Sequence, residues 1–167
     1  AVRFDAATTQ ASLAQGRTRI TLDRNAAAPD LTTLDLRQVP IAWARALLAK
    51  AWPEAKFKSG EFDMQLAIEA PSNAPLRVSG PIALRGGGLE TADASIVGEN
   101  LGGRFAIDYR TAPALSLLGI DGDLRGGEFL AGNTYVALPA TPVALRIDAM
   151  QRTGAGWELP RIEWRDG

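Results

Sequence analysis

Apolar and polar residues alternate along most of this chain. The clearest run is FDMQLAIE at residues 62–69, where every second side chain is apolar and most of the others are charged or polar. A period of two is typical of a β-strand with one apolar and one polar face. Residues 1–5 also have the pattern of a strand. The alternation recurs in eight further segments: 19–23, 34–37, 76–79, 82–85, 104–110, 143–148, 157–159 and 162–164.

Clusters of Gly, Pro and Asn separate these runs, and such residues are the usual ones in turns. We interpret Gly86-Gly87-Gly88 as a tight turn or a bulge, the glycine-rich segment 98–103 as a connection, and Asp121-Gly122-Asp123 as a solvated turn. Short strands at roughly ten-residue spacing predict a mainly β fold. We expect an antiparallel meander of short strands that forms a curved sheet or groove, with a closed sandwich or barrel as the alternative.

One segment breaks the pattern. Residues 40–52 are rich in Ala and Leu with apolar residues at helical spacing, and they predict one short helix that begins at Pro40 and ends before Pro53. The rest indicates a single β-rich domain over residues 1–167, which we expect to be a fragment of a larger protein. The motif LRGG occurs at Leu84 and again forty residues later at Leu124, which suggests a repeat of about forty residues spanning 78–117 and 118–157.

Composition excludes several chemistries. The chain has 18 Lys and Arg against 19 Asp and Glu, with neither Cys nor His. The near-neutral charge and the lack of a basic tract argue against nucleic acid as a partner. Without Cys and His, thiolate catalysis, a Ser-His-Asp triad and the usual zinc and haem sites are absent. Acidic pairs such as Glu61 with Asp63, or Glu158 with Glu163, are typical of exposed strand faces. We therefore predict a non-enzymatic protein without cofactor, metal site or transmembrane segment.

The apolar strand positions are the candidate functional residues. If the sheet closes or stacks on a second sheet, they form an ordinary core. If it stays open and curved, they line an apolar groove for acyl chains. The predicted lipid-facing residues are Phe62, Met64, Leu66, Ile68, Phe105, Ile107, Tyr109, Leu145 and Ile147. The four tryptophans are interpreted mainly as core residues.

Two stretches carry a resemblance to a known group of proteins. LDLRQVP at residues 34–40, followed by the helix and by KSGEFDMQL at 58–66, resembles bacterial AsmA-like and YdbH-like envelope proteins. The segment GGGLETADASIVGENLGGRFAIDY at 86–109 is similar to their pattern of a strand, a glycine-rich turn and another strand. The resemblance covers roughly residues 31–148. Its motifs are patterns of Leu, Gly and Asp, and they bring no catalytic residue with them.

The resemblance implies a periplasmic location in the bacterial envelope, in a repeating β-groove protein that conducts phospholipid between membranes. The first hypothesis is therefore a module that shields or conducts acyl chains, with phospholipid as partner. The alternative is a structural or adaptor domain of an envelope or secretion machine that binds another envelope protein through a sheet edge. A third is a carbohydrate-binding sandwich that stacks sugars on Trp157 or Trp164.

Overall fold

A computed structural model of the chain describes residues 2–5, 10–24, 27–45 and 53–165, with side chains described from residue 10 onward. Twelve β-strands occupy most of these ranges. Their bounds are β1 (Val2–Asp5), β2 (Gln10–Gln15), β3 (Thr18–Arg24), β4 (Leu31–Pro40), β5 (Ala55–Glu69), β6 (Leu76–Thr91), β7 (Ile96–Ala112), β8 (Leu115–Arg125), β9 (Glu128–Ala131), β10 (Thr134–Ala137), β11 (Val143–Arg152) and β12 (Trp157–Arg165).

The strands form one antiparallel sheet, in the order β1-β2-β3-β4-β5-β6-β7-β8-β11-β12. The short hairpin of β9 and β10 lies off this path and pairs with the first part of β7. The sheet is open and does not close into a barrel. The predicted antiparallel meander is confirmed, and within the described residues the main contacts between strands are those between hydrogen-bonded neighbours.

Within the described residues, one short helix, α1 (residues 41–45), follows β4. Pro40 is the last residue of β4 rather than part of the helix, and residues 46–52 of the predicted helix lie outside the described residues. The Nε of Arg45 donates a hydrogen bond to the carbonyl oxygen of Phe57 at 3.1 Å. This bond lies at the first part of β5, which extends beyond the end of β4, so the Arg45 side chain satisfies one backbone acceptor that β4 does not reach.

The central strands are longer than the sequence pattern predicted. β5, β6 and β7 contain 15, 16 and 17 residues, and the two predicted runs 76–79 and 82–85 are parts of β6. The glycine-rich segment 98–103 lies inside β7, and Asp121-Gly122-Asp123 lies inside β8, so the predictions of a connection and a solvated turn were wrong. Glycine-rich stretches here interrupt the hydrogen bonding between neighbouring strands without ending the strand.

A line of irregular backbone crosses four neighbouring strands, β4 to β7, and reaches the residue that follows β8. Register shifts occur in β4–β5, β5–β6 and β6–β7. Residues with positive φ lie along this line: Gln38 (48°), Gly60 (117°), Gly86 (59°), Asn100 (52°) and Gly126 (57°). We call it the bend line. Bulges bend a strand and increase its twist, so aligned bulges bend the whole sheet at this level. For Gly86-Gly87-Gly88, the two predicted alternatives were a tight turn and a bulge, and the structure confirms the bulge.

The most buried apolar side chains gather near the bend line, at one end of the sheet. They include Val39, Ile41, Ala55, Leu138 and Val143, the last only 1% exposed. Here α1 and the segment after β10 pack beside the strand ends, and the backbone N–H of Leu138 bonds to the carbonyl of Gly127 at 2.9 Å. We call this the buried end. The fully packed core is therefore small and lies mostly at one end, and most of the sheet is a single layer.

Candidate functional site: the apolar face

The register places all nine predicted lipid-facing residues on one face of the sheet. Directly paired positions in antiparallel strands project to the same side. Met64 pairs with Ile82, which pairs with Phe105. Phe105 pairs with Gly122, which pairs with Leu145. The remaining six residues follow by alternation within their strands, and we call this side the apolar face.

Further residues share this face and were not in the predicted set. The neighbours found through the register are Ile20, Leu22, Leu34, Leu36, Val78, Ile82, Leu84, Leu118, Ile120, Leu124, Ile162 and Trp164. Most of them lie in runs whose alternation already indicated an apolar side. Leu118 and Ile120 were missed because Gly119 and Gly122 interrupt the pattern of β8.

The apolar face is neither sealed nor fully open to water. Of the nine predicted residues, Leu66 is buried and the other eight are half-buried, because neighbouring side chains shield one another. From β3 to β12 and from Phe62 to Ile68, the face measures about 34 by 20 Å, using ~4.8 Å between strands and ~3.4 Å per residue. Monomeric proteins rarely leave apolar patches of more than a few hundred Å² uncovered. An apolar face of this extent is typical of a binding surface.

The two ends of the apolar face differ in chemistry. Away from the bend line, the next row of paired positions has three adjacent polar residues, Thr111, Ser116 and Gln151, between Leu76 and Trp157. The hydroxyl of Tyr109 donates to Ser116 Oγ at 3.3 Å at this end. At the buried end, the rings of Phe129 in β9 and Trp164 in β12 lie 6.0 Å apart between centroids. The β9–β10 hairpin therefore lies at one end of the face, and three adjacent polar residues border the middle of the other end.

The opposite side of the sheet, which we call the polar face, carries alternating arginines and carboxylates. Asp108 lies between two guanidinium groups: the Nη2 of Arg77 is 3.0 Å and the Nη2 of Arg110 is 2.7 Å from its Oδ2. These hydrogen bonds, first from Arg110 and then from Arg77, hold the pKa of Asp108 well below its ordinary value. Arginine and carboxylate thus neutralise each other along the strands, and this face is a solvated ionic surface.

Several of the acidic residues singled out in the sequence also form ion pairs on the polar face. Arg85 contacts Asp63 at 2.6 Å, and this hydrogen bond lowers the pKa of Asp63. Arg125 contacts Asp123 at 2.7 Å. Glu163 is bound by Arg161 at 2.6 Å, which lowers the pKa of Glu163. Each of these carboxylates is engaged by an arginine, an arrangement typical of strand-face ion pairs.

The two LRGG segments occupy related places in the sheet. Leu84 and Leu124 pair with the same residue, Gly103, from opposite sides. Gly86 and Gly126 have nearly the same φ, 59° and 57°, on the bend line. The motif thus marks the point where an apolar-face leucine is followed by the bend. The proposed repeat over 78–117 and 118–157 stays a prediction.

The described tryptophans are exposed, so the interpretation of them as core residues was wrong. Trp43, Trp157 and Trp164 are 45%, 43% and 41% exposed, and Trp52 lies outside the described residues. Trp43 lies on α1, and the other two lie on β12, the last strand of the sheet path. Large rings stay exposed here because β12 lies at the edge of a single-layer sheet.

Comparison of the chain with protein-family models, curated protein sequences and solved structures returned no match. In the part of the chain that the structure describes, no helix has the length and apolar character needed to cross a membrane. Over the same residues, no group of three or more acidic side chains is placed to hold a metal ion. The two faces of the sheet are therefore the features that bear on function.

Proposed function

We propose that this chain is a non-enzymatic module of the bacterial cell envelope that shields or conducts phospholipid acyl chains along its apolar face. The observation that carries the proposal is a continuous apolar surface on an open, single-layer sheet. Burying acyl chains on such a surface is favourable by about 0.8 kcal/mol per CH₂ group, without any fixed polar contact. A periplasmic location and kinship with AsmA-like proteins belong to the same proposal and depend on the sequence resemblance.

The polar face supports this assignment. Its ion pairs keep one side of the sheet hydrated, so the chain has two surfaces of opposite character. A phospholipid that lies on the apolar face keeps its acyl chains against carbon and its headgroup at the border of that face, near water. The polar row of Thr111, Ser116 and Gln151 offers a wet border at one end of the apolar face. Loose specificity follows, because acyl chains are recognised by area rather than by directional bonds.

Native mass spectrometry of the purified chain, followed by solvent extraction and lipid analysis, tests the proposal. We expect co-purified phospholipid, or uptake from vesicles of phosphatidylethanolamine and phosphatidylglycerol. Leu22→Asp and Ile107→Asp place a charge on the apolar face and should reduce bound lipid at least tenfold. Leu117→Asp is the matched control, because Leu117 pairs with Arg110 on the polar face and is as exposed as Leu22, 46% against 39%.

Circular dichroism and urea unfolding establish that each variant folds before lipid is measured. Lipid retained by all three variants, or lost equally in Leu117→Asp, would contradict the proposal. A lipid-free chain that takes up no lipid from the vesicles would also contradict it. The adaptor hypothesis would then become the better one, with a protein partner bound at a sheet edge.

A further inference from the structure

The polar row of Thr111, Ser116 and Gln151 interrupts the apolar face at the end away from the bend line. These three residues lie side by side on β7, β8 and β11, and each is half-buried. Among the described residues of β6, β7, β8 and β11, no side chain of this row or of the next row inward is charged. The polar row therefore offers neutral hydrogen-bonding groups directly beside an apolar surface.

The hydrogen bonds within this row leave donors for a ligand. The phenolic O–H of Tyr109 donates to Ser116 Oγ at 3.3 Å, so Ser116 keeps its own hydrogen for another acceptor. The Nε2 of Gln151 donates one hydrogen to the carbonyl oxygen of Ala155 at 3.0 Å and retains a second one. Thr111 adds a hydroxyl on the strand beside Ser116. Neighbouring donors of this kind suit a phosphate group, whose charged oxygens accept stronger hydrogen bonds than neutral ones do.

The row at the opposite end of the apolar face contains no polar side chain. From β4 to β11, its paired positions are Val39, Phe62, Leu84, Gly103, Leu124 and Val143. A Cβ added at Gly103 would lie 2.6 Å from Cζ of Phe105, so the Phe105 ring covers Gly103. An amphipathic molecule on this face therefore meets hydrogen-bond donors at one end of the strands and hydrocarbon at the other.

The distance between these two rows accommodates one phospholipid. Thr111 and Gly103 are eight residues apart on β7, or ~27 Å at ~3.4 Å per residue. One leaflet of a bilayer is about 20–22 Å thick with its headgroups, and about 15 Å of this is hydrocarbon. A lipid of that length fits between the polar row and the bend line.

The direction across the strands offers no comparable end for a phosphate. The row that contains Ile107 has no polar side chain from Leu22 on β3 to Ile162 on β12. A phosphate on such a row would lose its hydration without gaining hydrogen bonds, which is unfavourable. The two ends of the strands differ in polarity, so a lipid along them has one preferred orientation.

From the donors, the apolar row and the distance between them, we infer that a phospholipid lies parallel to β7, with its phosphate at the polar row and its acyl chain ends at the bend line. The placement rests on the proposed function and adds the direction of the lipid and the group that is recognised. Since the donors are neutral, phosphatidylethanolamine and phosphatidylglycerol should bind within about threefold of each other, with little dependence on salt.

Nitroxide-labelled phospholipids test the direction with the unmodified chain. The label is placed on the fifth carbon of one acyl chain, near the glycerol, or on the sixteenth carbon, near the chain end. In NMR spectra of the complex, the first label should cause the greater loss of amide signal at Tyr109 and Leu118. The second should cause the greater loss at Gly103 and Leu124. The opposite gradient overturns the inference, and so does equal loss at both ends, which a lipid across the strands would give.

Removing two hydroxyls tests the recognised group. Thr111→Val together with Ser116→Ala keeps the shape of the row but removes two donors, so phospholipid affinity should fall at least about fivefold. Diacylglycerol with the same acyl chains lacks the phosphate, and its affinity should change less than about twofold. The control, Thr33→Val together with Ser79→Ala, removes the same two hydroxyls from the polar face and should leave both affinities unchanged.

The outcomes separate the placement of the lipid from lipid binding itself. Urea unfolding first establishes that each variant folds. Equal losses for phospholipid and diacylglycerol, or the same loss in the control, overturn the role of the polar row and leave the proposed function standing. Competition by inorganic phosphate alone overturns it too, because free phosphate lacks the apolar contact that the acyl chains supply. A chain that binds neither lipid and shows no signal loss with either label overturns the proposed function as well.

Discussion

A substitution at Gly122 tests how closely the backbones of β7 and β8 approach each other beneath the apolar face. A Cβ added at this position would lie 2.1 Å from the carbonyl oxygen of Arg104 and 2.7 Å from the Cα of Phe105. Since ordinary contacts begin near 3.4 Å, Gly122→Ala forces the two strands apart by more than 1 Å. Ladder hydrogen bonds weaken steeply at that separation. We expect the two backbone bonds nearest Gly122 to be lost and the packing to be strained.

The expected cost is about 2–6 kcal/mol in the free energy of unfolding, from about 0.5–1.5 kcal/mol for each of the two hydrogen bonds and about 1–3 kcal/mol of overpacking. For a chain of this size, that corresponds to a fall in melting temperature of roughly 4–24 °C. Urea unfolding followed by circular dichroism gives the free energy, and a thermal scan gives the melting temperature.

Gly119→Ala, three residues earlier on β8, is the matched control. A Cβ there would have its nearest neighbour, the carbonyl oxygen of Asp108, at 3.9 Å, so it fits without displacement. We expect it to be neutral or to stabilise the chain by up to about 1 kcal/mol, because alanine restricts the unfolded chain more than glycine. If Gly122→Ala were as stable as Gly119→Ala, the close approach of β7 and β8 would be refuted.

Two further changes address the polar face and the hairpin. Asp108→Asn should lower stability by about 1 kcal/mol or less at pH 7, because the pair is solvent-screened. The pKa of Asp108 is depressed in the folded chain, so its contribution is present above about pH 4 and is lost as the pH falls; the difference between variant and parent should shrink in acid. A difference that grew in acid urea titrations would contradict this sign. For the contact of Phe129 with Trp164, a double-mutant cycle with leucine at both positions should give a coupling of about 0.5–1.5 kcal/mol, and zero coupling would show that the hairpin does not rest on β12.

The sequence was informative wherever apolar residues alternate without interruption. FDMQLAIE in β5 and RFAIDYR in β7 each indicated a strand with one apolar side, and the register places their apolar residues on the same face. Alternation determines which residues share a face, because successive side chains of a strand point to opposite sides. The mainly β antiparallel meander follows from the same signal, with turn residues between the runs.

Glycine limited the prediction of strand lengths. Gly86-Gly87-Gly88 is compatible with a turn or a bulge, and only cross-strand pairing distinguishes them. Gly122 gave β8 the composition of a turn, whereas its role is to permit close approach of two backbones. Whether the sheet is open also lies beyond a single-strand pattern, since an inward-facing residue of a barrel and a groove-facing residue alternate in the same way. Exposed tryptophans on β12 follow from its edge position, which local sequence does not encode.

In a single-layer meander, each strand depends mainly on the two strands beside it. A lineage can therefore lengthen or shorten the protein by inserting or deleting hairpins, and no second layer has to be rebuilt to accommodate the change. Inserting or deleting two strands at a time preserves both the direction of the outer strands and the side to which the apolar residues point. The β9–β10 hairpin illustrates this freedom, because β11 pairs directly with β8 across it. Length is therefore the property of this fold that evolution can change most easily, and its cross-section is the property that stays constant.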